Sequence, residues 1–79
     1  MKHRLLLTPA VRELLRAAAP GLRATIADTL LDLTADPEPI GARPYGGIPD
    51  AFEFRAETFR LVYTRGGDHV SVWVLQVNT

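Results

Sequence analysis

Two strand-like segments on either side of a diglycine constrain the fold of this 79-residue chain more than any other feature. Phe59–Arg65 and His69–Val77 carry the period-two pattern and the β-branched and aromatic residues that are typical of β-strands. Gly66–Gly67 separates them, and glycine readily adopts the positive φ angles of a two-residue hairpin turn. We therefore predict an antiparallel hairpin in which Arg65 lies opposite Asp68.

Counting outward from this turn assigns each side chain of the hairpin to one face of the sheet. The apolar face, with Tyr63 in the core and its hydroxyl at an edge, is predicted to carry the pairs Phe59/Val74, Leu61/Val72 and Tyr63/Val70. The second face is predicted to carry the pairs Arg60/Trp73, Val62/Ser71 and Thr64/His69. The segment from Ala51 also alternates, so Glu53 and Arg55 emerge on the second face if Phe52 and Phe54 enter the core. Polar chemistry is thus predicted on the second face.

The N-terminal half predicts a strand followed by two helices. Lys2–Leu7 is the strand, and Thr8 caps a helix of about ten residues that begins at Pro9. A second helix begins near Pro20 and continues to about Ala35, so the two form a helical hairpin. Residues 36–50 hold four of the six prolines and three of the six glycines, which predicts a connecting loop without helix or central strand.

These elements predict one α+β domain that spans residues 1–79. It consists of an N-terminal strand, an αα-hairpin and a mainly antiparallel three-stranded sheet. A chain this short has room for only one core. The helices should cover the apolar face, and the second face should remain open or only partly covered.

Composition excludes several classes of function. The chain has no cysteine, which rules out disulfides, thiolate nucleophiles and cysteine-ligated zinc, and its two histidines stand too far apart in sequence to form a local metal site. We expect no metal or organic cofactor. Nine basic residues balance nine acidic ones, so any nucleic-acid contact must be local. The N-terminal segment MKHRLLLTPA has too few consecutive apolar residues for a signal peptide or a membrane helix. We therefore expect a cytoplasmic protein without membrane contact.

Several segments together resemble a known family. They are TPAVRELLRAA, the helical hairpin that ends in LLDLTADP, the loop GARPYGGIPD, and the strand FRLVY followed by a turn and a valine-rich strand. In this succession, which covers essentially the whole chain, the sequence resembles the RelE/ParE superfamily of toxins from bacterial type II toxin–antitoxin systems. The resemblance implies a cognate antitoxin as partner. For a RelE-like member it also implies endoribonuclease activity on mRNA at the ribosome, which inhibits translation.

The resemblance also implies site residues. In the ribosome-dependent mRNA interferases of this superfamily, basic side chains on the concave sheet face hold the phosphate, and an arginine stabilises the charge that develops on it. The match places Arg60 at that arginine position and Arg55 at the position of a catalytic basic residue. Glu53 stands where a second basic residue is usual, and it could serve as the base. His69 is the other candidate for proton transfer, because imidazole titrates near neutral pH.

Three further residues are candidates for substrate binding. Arg43 and Tyr45, in the proline-rich loop, could reach over the second face, and Trp73 lies on it by register. Two structural interpretations stay open beside the functional ones. Arg60 could stack on Trp73 as a cation–π pair, and Arg55 could form an ordinary surface ion pair with Glu53.

A second functional hypothesis is a binding module without nuclease activity. The C-terminal arginine and tyrosine that complete the site in the mRNA interferases have no counterpart in the sequence up to Thr79. The binding module would be either a ParE-like inhibitor of DNA gyrase or a degenerate toxin that binds only its antitoxin.

Overall fold

The computed structural model describes residues 3–78, so the predicted first strand residue, Lys2, lies outside the described residues. In chain order the elements are β1 (Arg4–Leu7), α1 (Pro9–Ala17), α2 (Pro20–Ala35), β2 (Ala42–Pro44), β3 (Ala51–Arg55), β4 (Phe59–Arg65) and β5 (His69–Val77). The described strands form one sheet in the order β1-β5-β4-β3-β2. β1 is parallel to β5, and the other neighbouring strands are antiparallel. The predicted α+β class is confirmed.

Both helices begin at prolines, as the sequence predicts. Thr8 caps α1, because its hydroxyl oxygen accepts a hydrogen bond from the N–H of Val11 at 3.3 Å. Proline suits the first helical position, where an N–H would have no partner within the helix. Two residues link α1 to α2, so the helices form the predicted hairpin. Neither helix in residues 3–78 is long and apolar enough to cross a membrane.

The core lies between the helices and one face of the sheet. Its members are all 5% exposed or less, and they are Val11, Ile26, Leu30, Leu33, Phe59, Leu61, Tyr63, Val70, Val72 and Leu75. Full burial of a side chain of this kind contributes about 1.5–3 kcal/mol. The helices and the sheet therefore share one hydrophobic core, in which β4 and β5 contribute the sheet side.

The hairpin turn lies one residue further along the chain than predicted. Arg65 is opposite Val70, and the prediction that it pairs with Asp68 is wrong. The central turn residues are consequently Gly67 and Asp68. The partner of each β4 residue near the turn moves by two positions. Because side chains alternate with a period of two, this shift leaves every side chain near the turn on its predicted face.

The diglycine serves a different purpose from the predicted one. Neither Gly66 nor Gly67 has a positive φ angle, so that prediction is also wrong. The N–H of Gly66 donates to the carbonyl of His69 at 2.8 Å and closes the turn. The His69 ring lies over Gly66, in the space that a side chain would occupy. Any other residue at position 66 would place its Cβ against the His69 ring, so glycine is favoured there by this close approach.

A β-bulge shifts the register once more. Tyr63 pairs with Val72 and Val62 pairs with Val74, so Trp73 has no partner on β4. A bulge of this kind places two residues of one strand opposite one position of the other. Beyond it, alternation along β5 is reversed, and Val74 lies on the second face while Leu75 enters the core.

The displaced turn and the bulge together make all six predicted pairs wrong. Near the turn, Tyr63 pairs with Val72 and Thr64 with Ser71, two residues further along β5 than predicted. Beyond the bulge, Leu61 pairs with Leu75 and Val62 with Val74. Phe59 pairs with Val77 and not with Val74, and Arg60 pairs with Gln76 and not with Trp73. Each partner beyond the bulge lies three residues further along β5 than predicted. The displaced turn accounts for two residues of this shift, and the bulge accounts for the third.

The proline-rich segment contains a short strand that the sequence analysis did not predict. β2 pairs antiparallel with β3, and Arg43 lies directly opposite Glu53. Pro44 is compatible with this strand because β2 is at the edge of the sheet, where a missing N–H is tolerated. Within residues 3–78 the sheet thus has five strands where three were expected, because both β2 and the N-terminal strand β1 join it. The remainder of the segment turns at glycines with positive φ angles, which are Gly41, Gly46 and Gly47.

Tyr63 packs in the core with its hydroxyl at an edge, as predicted. Its ring stacks on Phe52 with the centroids 5.8 Å apart, and its hydroxyl donates to the carbonyl of Pro37 at 2.7 Å. Burial, with the charges of Glu38 and Asp36, raises the pKa of Tyr63 to about 12. The hydroxyl thereby connects β4 to the segment that follows α2.

Replacing Tyr63 with phenylalanine should lower the free energy of unfolding by about 1 kcal/mol at neutral pH, because one hydrogen bond is lost. The folded-state pKa lies above the ordinary value of 10.0, so the stability associated with this shift is complete below pH 10 and is lost as pH rises towards 12. In urea titrations above pH 10, wild type should therefore lose stability more steeply than Tyr63→Phe. Tyr45→Phe is the control and should retain the wild-type slope. Equal slopes for wild type and Tyr63→Phe would contradict the assignment.

Candidate functional site

The sheet face that points away from the helices carries a cluster of polar side chains, and we call it the open face. Alternation along β4 places Arg60 on this face, because Phe59 and Leu61 on either side of it are core residues. In the same way Glu53 and Arg55 alternate with the phenylalanines of β3, which pack against the core. Both arginines therefore lie on the predicted face.

Arg55 and Arg60 are direct cross-strand partners on β3 and β4. Glu53 bridges them, since its Oε1 accepts from Arg55 Nε at 3.0 Å and its Oε2 accepts from Arg60 Nη1 at 2.5 Å. Arg60 Nε also donates to Oε1 of Gln76 at 2.6 Å. We call these four residues the arginine cluster.

The two guanidinium groups of the cluster differ in their surroundings. The side chain of Glu53 is 15% exposed and that of Arg60 is 27% exposed, whereas that of Arg55 is 71% exposed. Arg60 is thus held from two sides by Glu53 and Gln76. Arg55 extends into solvent and can turn towards an incoming group. The cluster carries two positive charges and one negative charge, so an anion is attracted to it.

Gln76 is a member that sequence reasoning missed. The predicted register put Trp73 opposite Arg60, and no pattern in the sequence reveals the bulge that brings Gln76 there instead. The interpretation of Arg60 and Trp73 as a stacked pair is therefore wrong. The interpretation of Arg55 and Glu53 as an ion pair is confirmed.

Arg43 adds a third guanidinium group to the open face. It lies on β2 directly opposite Glu53, and cross-strand partners share a face of the sheet. The residue is exposed, and among residues 3–78 no carboxylate forms an ion pair with it. Glu53 is consequently paired with Arg55 on its own strand and Arg60 on β4, and it lies across from Arg43 on β2.

Tyr45 reaches over the open face and contacts Trp73. The ring centroids are 5.7 Å apart and the rings are nearly perpendicular, at 77°. Tyr45 follows β2 and Trp73 is on β5, so their contact spans β3 and β4 across the open face, on the opposite side of the sheet from the core. The indole Nε1 of Trp73 is buried and has no hydrogen-bond partner within residues 3–78.

His69 is separated from the arginine cluster. It lies at the start of β5, about 20 Å along the strand from Gln76 at the usual rise per residue. Its Nδ1 is 3.1 Å from Oδ1 of Asp68, and this hydrogen bond, together with the charge of Arg4, lowers the pKa of the Asp68 carboxyl. The structure therefore brings Arg55, Arg60 and Glu53 together and leaves His69 at the other end of the sheet.

Arg65 holds the segment that carries Arg43 and Tyr45. Its Nη1 donates to Glu38 at 2.5 Å and its Nη2 donates to Asp50 at 3.0 Å, so one side chain ties both ends of the segment to β4. The guanidinium carbon also lies 5.6 Å from the centroid of the Phe52 ring. Sequence reasoning did not single out Arg65. Within residues 3–78, no three histidine, aspartate or glutamate side chains are grouped so that they could hold a metal ion.

Solved structures share this fold over almost the whole chain. The RelBE2 toxin–antitoxin complex from Mycobacterium tuberculosis matches with a TM-score of 0.83 and 20% identity, covering 99% of this chain and 100% of that one. The isolated RelE toxin of E. coli matches with a TM-score of 0.82 and 17% identity, covering 98% and 85%. The archaeal RelE–RelB complex from Pyrococcus horikoshii OT3 matches with a TM-score of 0.84 and 15% identity, covering 98% and 96%.

No family model and no curated protein matches the sequence. The similarity therefore lies in the three-dimensional arrangement, and the chain has the RelE fold that the resemblance implied.

Removing the Tyr45 ring should expose the indole of Trp73 to water. Because Trp73 is the only tryptophan, we expect the fluorescence emission of Tyr45→Ala to move to longer wavelength. Loss of the aromatic contact should also lower the free energy of unfolding by about 1 kcal/mol. Tyr63→Phe, which alters the core face, should leave the emission unchanged. An unshifted spectrum in Tyr45→Ala would contradict the contact across the open face.

Proposed function

We propose that this chain, which has the RelE fold, is the toxin of a type II toxin–antitoxin pair and binds a cognate antitoxin protein in the cytoplasm. The fold similarity extends over at least 98% of the chain, and one of the similar structures is a toxin–antitoxin complex. Exposed leucines on both helices, Leu14 at 48% and Leu31 at 60%, offer apolar surface that a partner protein can cover.

The activity that the open face supports best is RelE-like cleavage of mRNA on the ribosome, which inhibits translation. The observation that carries this proposal is the adjacent pair of guanidinium groups, Arg55 and Arg60, on the face opposite the helices. Attack of a 2′-hydroxyl on the neighbouring phosphorus produces a phosphorane with additional negative charge. Two guanidinium groups stabilise that charge through charge-assisted hydrogen bonds.

Each member of the cluster has a role that follows from its surroundings. Arg60 is held by Glu53 and Gln76, so it is positioned before the substrate arrives, and it contacts the scissile phosphate. Arg55 is largely in solvent and closes on the same phosphate. Glu53, which contacts both arginines, takes the proton of the 2′-hydroxyl. The bond between phosphorus and the 5′-oxygen then breaks, the 5′-oxygen takes a proton from water, and a 2′,3′-cyclic phosphate remains. His69 lies too far away to act in the same step.

The remaining candidates bind the rest of the RNA. Arg43 is exposed beside the cluster and contacts a neighbouring phosphate. Tyr45 and Trp73 form an aromatic pair on the same face, and aromatic side chains bind unpaired bases by stacking.

One observation favours the alternative of a binding module. Glu53 compensates one of the two arginines of the cluster, and the formal net charge of the chain is zero. Weak attraction for phosphate suits a protein whose partner is another protein, either DNA gyrase or the antitoxin alone.

Cleavage in a translating extract tests the proposal. Wild-type chain released from its antitoxin should cut mRNA, and Arg60→Ala should reduce the cleavage rate by about 100-fold or more, because a group that stabilises the transition state is lost. Arg12→Ala, which removes an exposed arginine from α1, is the matched control and should cleave at the wild-type rate. Intact transcripts with wild type would reject the nuclease. Gyrase-linked DNA breaks in a parallel supercoiling assay would then support the ParE-like alternative.

A further inference from the structure

The arginine cluster already contains an anion. The carboxylate of Glu53 contacts Arg55 and Arg60 with one oxygen each, at 3.0 and 2.5 Å, and lies directly across from Arg43 on the neighbouring strand. Its side chain is 15% exposed, so it is the most enclosed charge of the group. Two arginines thus contact one carboxylate on the open face, and a third arginine lies across from it on β2.

We propose that Glu53 acts as a built-in competitor for phosphate, so that a phosphate group binds the cluster only by displacing the carboxylate from Arg60. This inference rests on the proposed function, since it describes how the proposed phosphate site is regulated. A carboxylate and a phosphate present similar pairs of oxygens to a guanidinium group, and both form two-point hydrogen bonds with it. The two anions therefore compete for Nη1 of Arg60, the donor that Glu53 occupies.

Displacement weakens phosphate binding in two ways. Arg60 must give up its contact from Nη1 to Glu53 before that N–H can donate to a phosphate oxygen. The displaced carboxylate stays close to the bound phosphate and repels it. At about 4 Å, repulsion between two unit charges lowers affinity by about fivefold even with the screening of bulk water, and by more in a partly enclosed site.

Displacement from Arg60 also makes the carboxylate of Glu53 available as a base. Once phosphate occupies Arg60, Oε2 of Glu53, which had paired with Arg60, is released next to the scissile bond, where a base is required. Substrate binding and exposure of the base are thereby coupled. A single phosphate ion binds weakly, whereas an RNA that also contacts Arg43, Tyr45 and Trp73 supplies the additional free energy that displacement needs.

Binding of inorganic phosphate to Glu53→Gln tests the competition without requiring catalysis. Glutamine keeps the shape of the side chain and removes its charge. Phosphate affinity, followed by NMR of the arginine Nε–H signals, should rise by about fivefold or more. For a 2′-O-methyl RNA oligonucleotide, which cannot be cut by 2′-hydroxyl attack, the dependence of log affinity on log salt concentration should become steeper by about 0.7, because the carboxylate no longer offsets the charge of one phosphate contact on a single strand.

Two variants complete the test. Glu13→Gln removes an exposed carboxylate that pairs with Arg16 on α1, so it changes the net charge equally and should leave both measurements at the wild-type values. Gln76→Glu alters an exposed residue and adds a second carboxylate beside Arg60. It should weaken phosphate binding by about fivefold or more. Unchanged or weaker phosphate binding in Glu53→Gln would overturn the inference, because Glu53 would then only position the arginines.

The outcome is separable from that of the proposed function. Tighter phosphate binding in Glu53→Gln without mRNA cleavage by wild type would support the competition and reject the nuclease. Cleavage by wild type with unchanged phosphate binding in Glu53→Gln would support the nuclease and reject the competition.

Discussion

The alternation of side chains along β4 determines which face of the sheet carries Arg60, and the arginine cluster forms around this residue. This strand is hydrogen-bonded to β3 on one side and β5 on the other. Phe59, Leu61 and Tyr63 are fully buried against the helices, so Arg60 must point to the opposite face. A slip of one residue would expose these three side chains at a cost of about 1.5–3 kcal/mol each. The position of the guanidinium group is thus maintained by hydrophobic burial on the other side of the sheet.

The open face combines a guanidinium group that is held on two sides with one that is mostly exposed. Arg60 is confined by Glu53 and Gln76, while Arg55 is largely in solvent. A partly buried ion pair is a weak source of stability, because desolvation offsets much of the attraction between the charges. The geometry of the arginine cluster is better explained by the need to hold one guanidinium group in place. Arg65 has the contrasting role, since its ion pairs fasten the segment that presents Arg43 and Tyr45.

Local sequence patterns were sufficient for most of the framework. Thr8 followed by Pro9 is a capping signal within two residues, and the bounds of β4 and β5 follow from short strand-like segments around glycine. The face occupied by Arg55 and Arg60 was also predictable, because a displaced turn that moves partners by two residues does not change parity. Each of these features depends on residues that are close together in the chain.

Chain-local patterns therefore determined the order of every element except β2, the α+β class and the side of the sheet on which the arginines lie. Only tertiary packing decided that Gln76 is the partner of Arg60, that Trp73 bulges out to meet Tyr45, and that β2 pairs with β3. A bulge is selected by how β5 fits between its neighbours, and a three-residue edge strand forms only where another strand is already present to pair with it. These choices depend on contacts between residues far apart in the chain, which no local pattern contains.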